Sequence, residues 1–269
     1  MRYLQNATII AFVLMLLLYG GVMLYDSFMV DTTAPVIRCA NPEIIVSVND
    51  PQETMLLGVT AMDDRDGDLT DQVQIKNVSQ LITDDTAQVT YIVFDSANNM
   101  TTLTRTVRYA DYEKPRFMLH KPLNYTVDED FQVLDRLTAQ DVLDGDISDS
   151  ICVISQNILK EAGTYHVTVQ ATNSLGDTTT VPLKLVVREN GVKELLQLKS
   201  YLTYLDKGAA FDPLKYIASV QAPDGTTLSV SEVNIDNAVD VNTEGAYHVR
   251  YSITVQNQTY VVFLTVVVC

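Results

Sequence analysis

The chain has 269 residues, 34 of them acidic against 18 basic, for a net charge of −16. Apolar residues make up 47% and charged ones only 19%, so the chain is no disordered acidic tail, and its length suits two or three domains. A surface this acidic repels nucleic acid and anionic lipid, which sets both aside as direct partners, and it attracts divalent cations.

Residues 7 to 25, ATIIAFVLMLLLYGGVMLY, carry no charge. As a helix at ~1.5 Å per residue they reach roughly 28 Å, the hydrocarbon thickness of a bilayer. Arg2 lies before the stretch, and Asp26 and Asp31 lie after it. The positive-inside bias therefore places the N-terminus in the cytoplasm and the remainder outside. A cleaved signal peptide is the rival reading, but no small-x-small cleavage site stands near Tyr25. Residues 1–30 are expected to be a cytoplasmic stub and an uncleaved, single-pass signal-anchor in the cell membrane.

Beyond the anchor, AMDDRDGDLTDQV (61–73) is written again as AQDVLDGDISDSI (139–151). Asp63, Asp66, Gly67, Asp68 and Asp71 fall on Asp141, Asp144, Gly145, Asp146 and Asp149 at one constant offset. The match extends both ways: VTYIVFDSANNMTT (89–102) meets VTVQATNSLGDTTT (167–180), and the starts DTTAPVI and DYEKPRF share Asp-x-x-x-Pro from Asp31 and Asp111. A third, weaker copy follows. GTYHVTV (163–169) recurs as GAYHVRY (245–251), and IASVQAPDGTTLS (217–229) stands where the acidic stretch belongs, with only Asp224-Gly225 surviving. A repeat this long is a domain rather than a solenoid unit, which divides the chain into 31–110, 111–189 and a degenerate 190–269.

Within the repeats Ala87, Val89, Tyr91 and Val93 alternate with Gln88, Thr90 and Ile92, and Tyr165, Val167, Val169 and Ala171 alternate with His166, Thr168 and Gln170, while Val181, Leu183, Leu185 and Val187 make another period-2 run. One face buried and one solvated is the antiparallel pattern. Short strands broken by Gly, Asn, Asp and Pro point to a β-sandwich. Tyr165 and Tyr247, each two residues after a glycine, are either corner tyrosines or ordinary core aromatics. VKELLQLKSYL (192–202), of mixed periodicity, is read as the first strand of the third domain. The expected fold is all-β: three tandem immunoglobulin-like β-sandwich domains after one N-terminal transmembrane helix. Short linkers bearing Pro35 and Pro115 favour a stiff rod of three in line.

The order Asp-x-x-x-Pro, VTAxDxxDGDxTDxV and YxVxDSAxN resembles the bacterial immunoglobulin-like domain of pesticidal-crystal-protein type, and is similar to hyalin-repeat and cadherin-like domains. Domain one carries the pattern most fully, domain two has Asn173 in place of Asp95, and domain three loses most of the acids. The resemblance implies tandem adhesive or spacer modules on exported proteins of Gram-positive bacteria. It speaks for fold more than for function.

The repeated acids suggest calcium, which takes six to eight oxygens at about 2.3–2.6 Å. Candidate ligands are Asp63, Asp66 and Asp68 with Asp95, and Asp141, Asp144 and Asp146 with Asn173. DRDGD is not an EF-hand, which needs its glycine at the sixth position and a glutamate at the twelfth. The alternative is a plain turn, in which Asp-Gly supplies the positive φ and aspartates bond their own backbone. The turn accounts for Asp224-Gly225 but not for the further repeated acids, whose mutual repulsion costs stability unless neutralised. Of the histidines, His120, His166 and His248, the last two share one solvent-facing strand position. With no nucleophile elbow, HExxH or phosphate loop, the chain is not expected to be an enzyme. Cys39, Cys152 and Cys269 form no disulfide framework and no zinc spacing, and are read as plain thiols. The expected function is a membrane-anchored, extracellular binding or adhesion module for an unknown protein or glycan. The alternative is a structural spacer or accessory subunit of an envelope assembly.

Overall fold

The computed structural model describes residues 2–29, 31–157, 160–189 and 194–269. It opens on a helix, α1 (Arg2–Met29), and continues in strands, short 3-10 turns and loops. Within α1 the stretch Gln5–Tyr25 has a mean hydropathy of 2.4 and buries nothing against the protein. Among the described residues it alone is long and apolar enough to cross a bilayer. The chain divides into two compact units, Met1–Ala110 and Asp111–Cys269.

After α1, the first unit holds one sandwich. Its strands are β1 (Val36–Cys39), β2 (Glu43–Val46), β3 (Val59–Asp63), β4 (Gly67–Asp68), β5 (Gln74–Val78), β6 (Thr86–Phe94) and β7 (Met100–Tyr109). One sheet runs β1-β3-β4 and the other β2-β7-β6-β5. The first edge of the chain serves both sheets: β1 pairs antiparallel with β3, and β2 then pairs parallel with β7. Every second residue of β6 (Ala87, Val89, Tyr91, Val93) is fully buried, and Ile37, Val59 and Ala61 of the other sheet's strands are buried as well. The period-2 pattern is therefore realised as a core between two sheets. Each such valine or tyrosine contributes roughly 1.5–3 kcal/mol by leaving water.

The second unit repeats this plan twice. Its strands are β8 (Arg116–Leu119), β9 (Asn124–Thr126), β10 (Leu137–Asp141), β11 (Gly145–Asp146), β12 (Cys152–Gln156), β13 (Gly163–Thr172) and β14 (Thr178–Arg188), then β15 (Leu196–Leu198), β16 (Leu202–Leu205), β17 (Ile217–Val220), β18 (Asn234–Asn237), β19 (Gly245–Val255) and β20 (Gln258–Val268). The sheets are β8-β10-β11 with β9-β14-β13-β12, and β15-β17 with β16-β20-β19-β18. The boundary expected at residue 190 and the start of VKELLQLKSYL lie outside the described residues. The rest of that segment is not one strand but two. β15 joins β17, the chain steps across at Lys199 and Ser200, and β16 pairs parallel with β20. The segment must serve both sheets, as β1 and β2 do, so one continuous strand is impossible.

The two sandwiches of this unit close on one core. Buried side chains from Phe117 to Val268 form a single continuous cluster. At the joint the Arg188 guanidinium donates to the Val261 carbonyl and lies 5.8 Å from the Tyr260 ring centre. The Phe117 amide donates to Tyr204 Oη at 2.8 Å, and Arg116 stacks over the same Tyr204 ring. His248 departs from the solvent-facing placement expected of it. His166 is exposed on β13, but His248 on β19 is half-buried, its Nδ1 3.3 Å from Thr265 Oγ1. Burial first, then the charges of Lys184 and His166, lower its pKa to about 4.

Tyr165 and Tyr247 are corner tyrosines. Each hydroxyl donates to a carbonyl four residues upstream, Glu161 and Thr243, at 2.9 Å. Gly163, two residues before Tyr165, keeps this corner open: a Cβ there would stand 3.3 Å from the tyrosine hydroxyl, a tight contact. The three cysteines are free thiols.

Candidate metal centre of the first sandwich

The acidic stretch folds as a tight turn between β3 and β4, and its geometry recurs between β10 and β11. Gly67 and Gly145 take φ of 74° and 73°, and Gly225 takes 89° in the third copy. No neighbour lies within 4 Å of where a Cβ would stand on any of them. Backbone conformation alone, rather than crowding, demands glycine there.

Each aspartate of the first turn has a distinct task. Asp68 Oδ1 accepts the Thr70 amide at 2.9 Å, and Thr70 Oγ1 accepts the Ala61 amide at 3.2 Å, pinning the loop that follows. Asp66 accepts the amide and hydroxyl of Ser96 at 2.7 and 2.9 Å, tying the turn to the β6–β7 loop. Asp63, at the end of β3, accepts the Asp66 and Arg65 amides on Oδ1, both at 2.9 Å. These amides, Asp66 first, hold its pKa below the usual carboxylate range. Its Oδ2 is buried and has no hydrogen-bond partner.

Asp95, the residue after β6, comes close to Asp63. One carboxylate oxygen from each of Asp31, Asp63 and Asp95 lies within 4.8 Å of the others. Asp63 is 8% exposed and Asp95 6%. Asn99 organises the group: its amide N–H and Nδ2 donate to Asp95 at 2.7 Å, and Nδ2 also reaches the Asp31 and Thr33 carbonyls at 3.1 and 3.2 Å. Arg65 Nε stands 3.9 Å from Asp31 Oδ2. Oxygens sharing one Ca²⁺ at about 2.4 Å sit no more than about 4.8 Å apart. Three carboxylates, all largely withdrawn from water, with an unpartnered oxygen among them are costly unless neutralised. The donor set, all hard oxygens, suits Ca²⁺ rather than a softer metal.

Of the expected ligands the fold thus brings Asp63 and Asp95 together, and it does not bring Asp66 or Asp68 to them. Asp31 was missed, although Asp-x-x-x-Pro opens both of the clear repeats.

Domain two places the same positions differently. Asp144 holds Ser174 at 2.6 and 2.7 Å, and Asp146 holds the Ser148 amide at 3.0 Å, so neither joins Asp141. Asp141 Oδ1 accepts the Leu143 and Asp144 amides at 2.9 and 3.0 Å. Its Oδ2, unlike that of Asp63, accepts Asn173 Nδ2 at 3.1 Å. In domain three Gln221 stands in place of the first aspartate, and β19 and β20 are joined by a tight turn through Gln256 and Asn257 at φ 50° and 66°.

The architecture is that of immunoglobulin-like β-sandwiches, preceded by one apolar helix. No family model matches the chain, and no curated protein does. Solved structures with similar folds include the CBM51-2 domain of Clostridium perfringens ZmpB, in complex with GlcNAc, and INT domains, at 18% identity over 55% of this chain and 26% of that one, with a TM-score of 0.24. The lipoprotein BT2262 from Bacteroides thetaiotaomicron matches at 14% over 86% and 98%, with a TM-score of 0.21. Drosophila N-cadherin EC1-4 matches at 13% over 88% and 75%, with a TM-score of 0.22. The chain spans about a quarter of the ZmpB structure.

Proposed function

We propose that the chain is a single-pass, membrane-anchored protein of a bacterial cell surface. Its N-terminus is cytoplasmic, and its sandwiches act outside as a non-catalytic binding or adhesion module for a protein or glycan. The observation that carries this reading is α1, whose apolar stretch Gln5–Tyr25 has no protein partner in the fold and leads into sandwiches alone. Protease added to intact cells should digest residues 31–269 and leave a membrane-held helix. Full protection of the sandwiches would overturn the topology. A pull-down with the whole chain, set against one lacking residues 190–269, tests presentation by the distal domain. Recovery of the same partner by both would refute it. One observation favours the alternative, a spacer or accessory subunit of an envelope assembly: the continuous core of residues 111–269 suits holding something at a set distance.

The same proposal includes a Ca²⁺ site at Asp31, Asp63 and Asp95, carried by the unpartnered Asp63 Oδ2. A ligand at about a hundred times its Kd stabilises the native state by about 2.7 kcal/mol. The first sandwich should therefore melt higher in millimolar Ca²⁺ than in chelator, and Asp63→Asn should abolish the difference. Equal melting of the parent chain in both conditions would remove the site.

A further inference from the structure

We propose that in domain two hydrogen bonds have taken the place of the cation, so the chain holds one Ca²⁺, in domain one, despite two acidic turns. This rests on the cation reading of Asp31, Asp63 and Asp95.

The difference lies in one exchange. Asp95 and Asn99 of domain one become Asn173 and Asp177 of domain two, the same two residue types with their order reversed. In domain one the residue beside the buried end of Asp63 is a carboxylate. Two carboxylates cannot satisfy each other, since both only accept. The Asp95 oxygens take their donors from Asn99, which leaves Asp63 Oδ2 as the oxygen that a cation would satisfy. In domain two the corresponding residue is an amide, and Asn173 Nδ2 supplies Asp141 Oδ2 with the donor that Asp63 lacks.

The rest of the network closes around that amide. Asn173 Nδ2 also donates to Tyr112 Oη at 2.8 Å. Tyr112 Oη in turn donates to Asp177 Oδ2 at 2.7 Å, and the Asp177 amide returns to Asn173 Oδ1 at 2.9 Å. Burial, followed by Asp177, raises the Tyr112 pKa far above its ordinary value, so the hydroxyl stays protonated and remains a donor. Domain one has Thr32 at the position beside its opening aspartate, too short to do the same. For Asn173 to offer its oxygen to a cation, the amide must turn over and give up its bonds to Asp141 and Tyr112 and the one from the Asp177 amide. Asp141 is as buried as Asp63, at 7% and 8% exposed, so burial does not separate the two sites. The donor does.

The test is the number of tightly held ions per full-length chain in detergent, measured by equilibrium dialysis against CaCl₂. Enough salt is present to screen loose binding to the acidic surface. The parent chain should hold one ion, Asp63→Asn none, and Asp141→Asn still one. Asn173→Asp combined with Tyr112→Phe should hold two. Two ions on the parent chain, or loss of an ion in Asp141→Asn, would overturn the inference and leave the domain-one site standing. No ion on the parent chain would remove the domain-one site and this inference with it. If the double variant still melts cooperatively yet holds only one ion, Asn173 and Tyr112 do not have the role given to them.

Discussion

Asp66 grips Ser96 with both carboxylate oxygens, one on the amide at 2.7 Å and one on the hydroxyl at 2.9 Å. The pair joins the β3–β4 turn to the β6–β7 loop, the two segments that carry Asp63 and Asp95. Asp144 and Ser174 repeat the contact in domain two. Asp66 is therefore a brace that sets the spacing of Asp63 and Asp95, the carboxylates of the proposed Ca²⁺ site. Asp66→Ala should cost about 1–2 kcal/mol of stability, the worth of a charge-assisted pair in a partly exposed site. It should also weaken Ca²⁺ at least about tenfold through misplaced ligands. Denaturant melts in chelator and a calcium titration measure the two effects separately. An unchanged affinity would show that the ligands keep their spacing without the brace.

Gly67 sits at φ 74° with open space around it. Gly67→Ala should cost about 1–2 kcal/mol through backbone strain alone, and Gly67→Asn distinctly less, since asparagine tolerates the left-handed region. Gly145→Ala should cost the same, because its turn has the same φ. Chemical denaturation of the three variants checks the order.

Arg188 ties domain two to domain three through the Val261 carbonyl and the Tyr260 ring. Arg188→Ala should destabilise residues 111–269 by about 2–3 kcal/mol, since it strips a carbonyl of its charged donor. Parent residues 111–269 should melt in one calorimetric transition, and the variant in two. Arg188→Lys should restore little, because a lysine lacks the planar fork that reaches a carbonyl and an aromatic face together. One unbroken transition in Arg188→Ala would mean that the apolar core alone couples the two sandwiches.

His248 gives the second unit a pH dependence. Its pKa falls from 6.5 to about 4 on folding, so the native state favours the neutral ring. That contribution is fully present above pH 6.5 and is lost as the pH falls toward 4, where the unfolded chain binds a proton that the native chain refuses. The loss should be on the order of 2 kcal/mol after allowing for a ring that is only half-buried. His248→Gln should lower the pH sensitivity between 6.5 and 4 in thermal melts. An identical slope in parent and variant would place the acid sensitivity of that pH range elsewhere.

Much of the fold was legible in the letters. Ala87, Val89, Tyr91 and Val93 announce a half-buried strand because side chains alternate across a sheet, and all four are fully buried. Asp-Gly at 66–67, 144–145 and 224–225 announces a turn because only glycine takes positive φ freely, and all three glycines do. The split of the third domain's opening segment into β15 and β16 was not legible. Its letters suit a single strand, and only the presence of two sheets to be served breaks it.

The sequence by itself determined the apolar helix, the repeat, the strand pattern and the places of the turns, because these depend on periodicity and on backbone conformations that are local. Only the tertiary structure decided which acids meet. Asp31, Asp63 and Asp95 come from three separate segments, and the sheets that bring them together are stabilised by residues elsewhere. Asp66 and Asp68 look no different from Asp63 as letters, yet both are engaged by hydroxyls and amides, while one oxygen of Asp63 is left unsatisfied. A hydrogen bond is made or lost over a few tenths of an ångström, a distance that spacing along the chain does not encode.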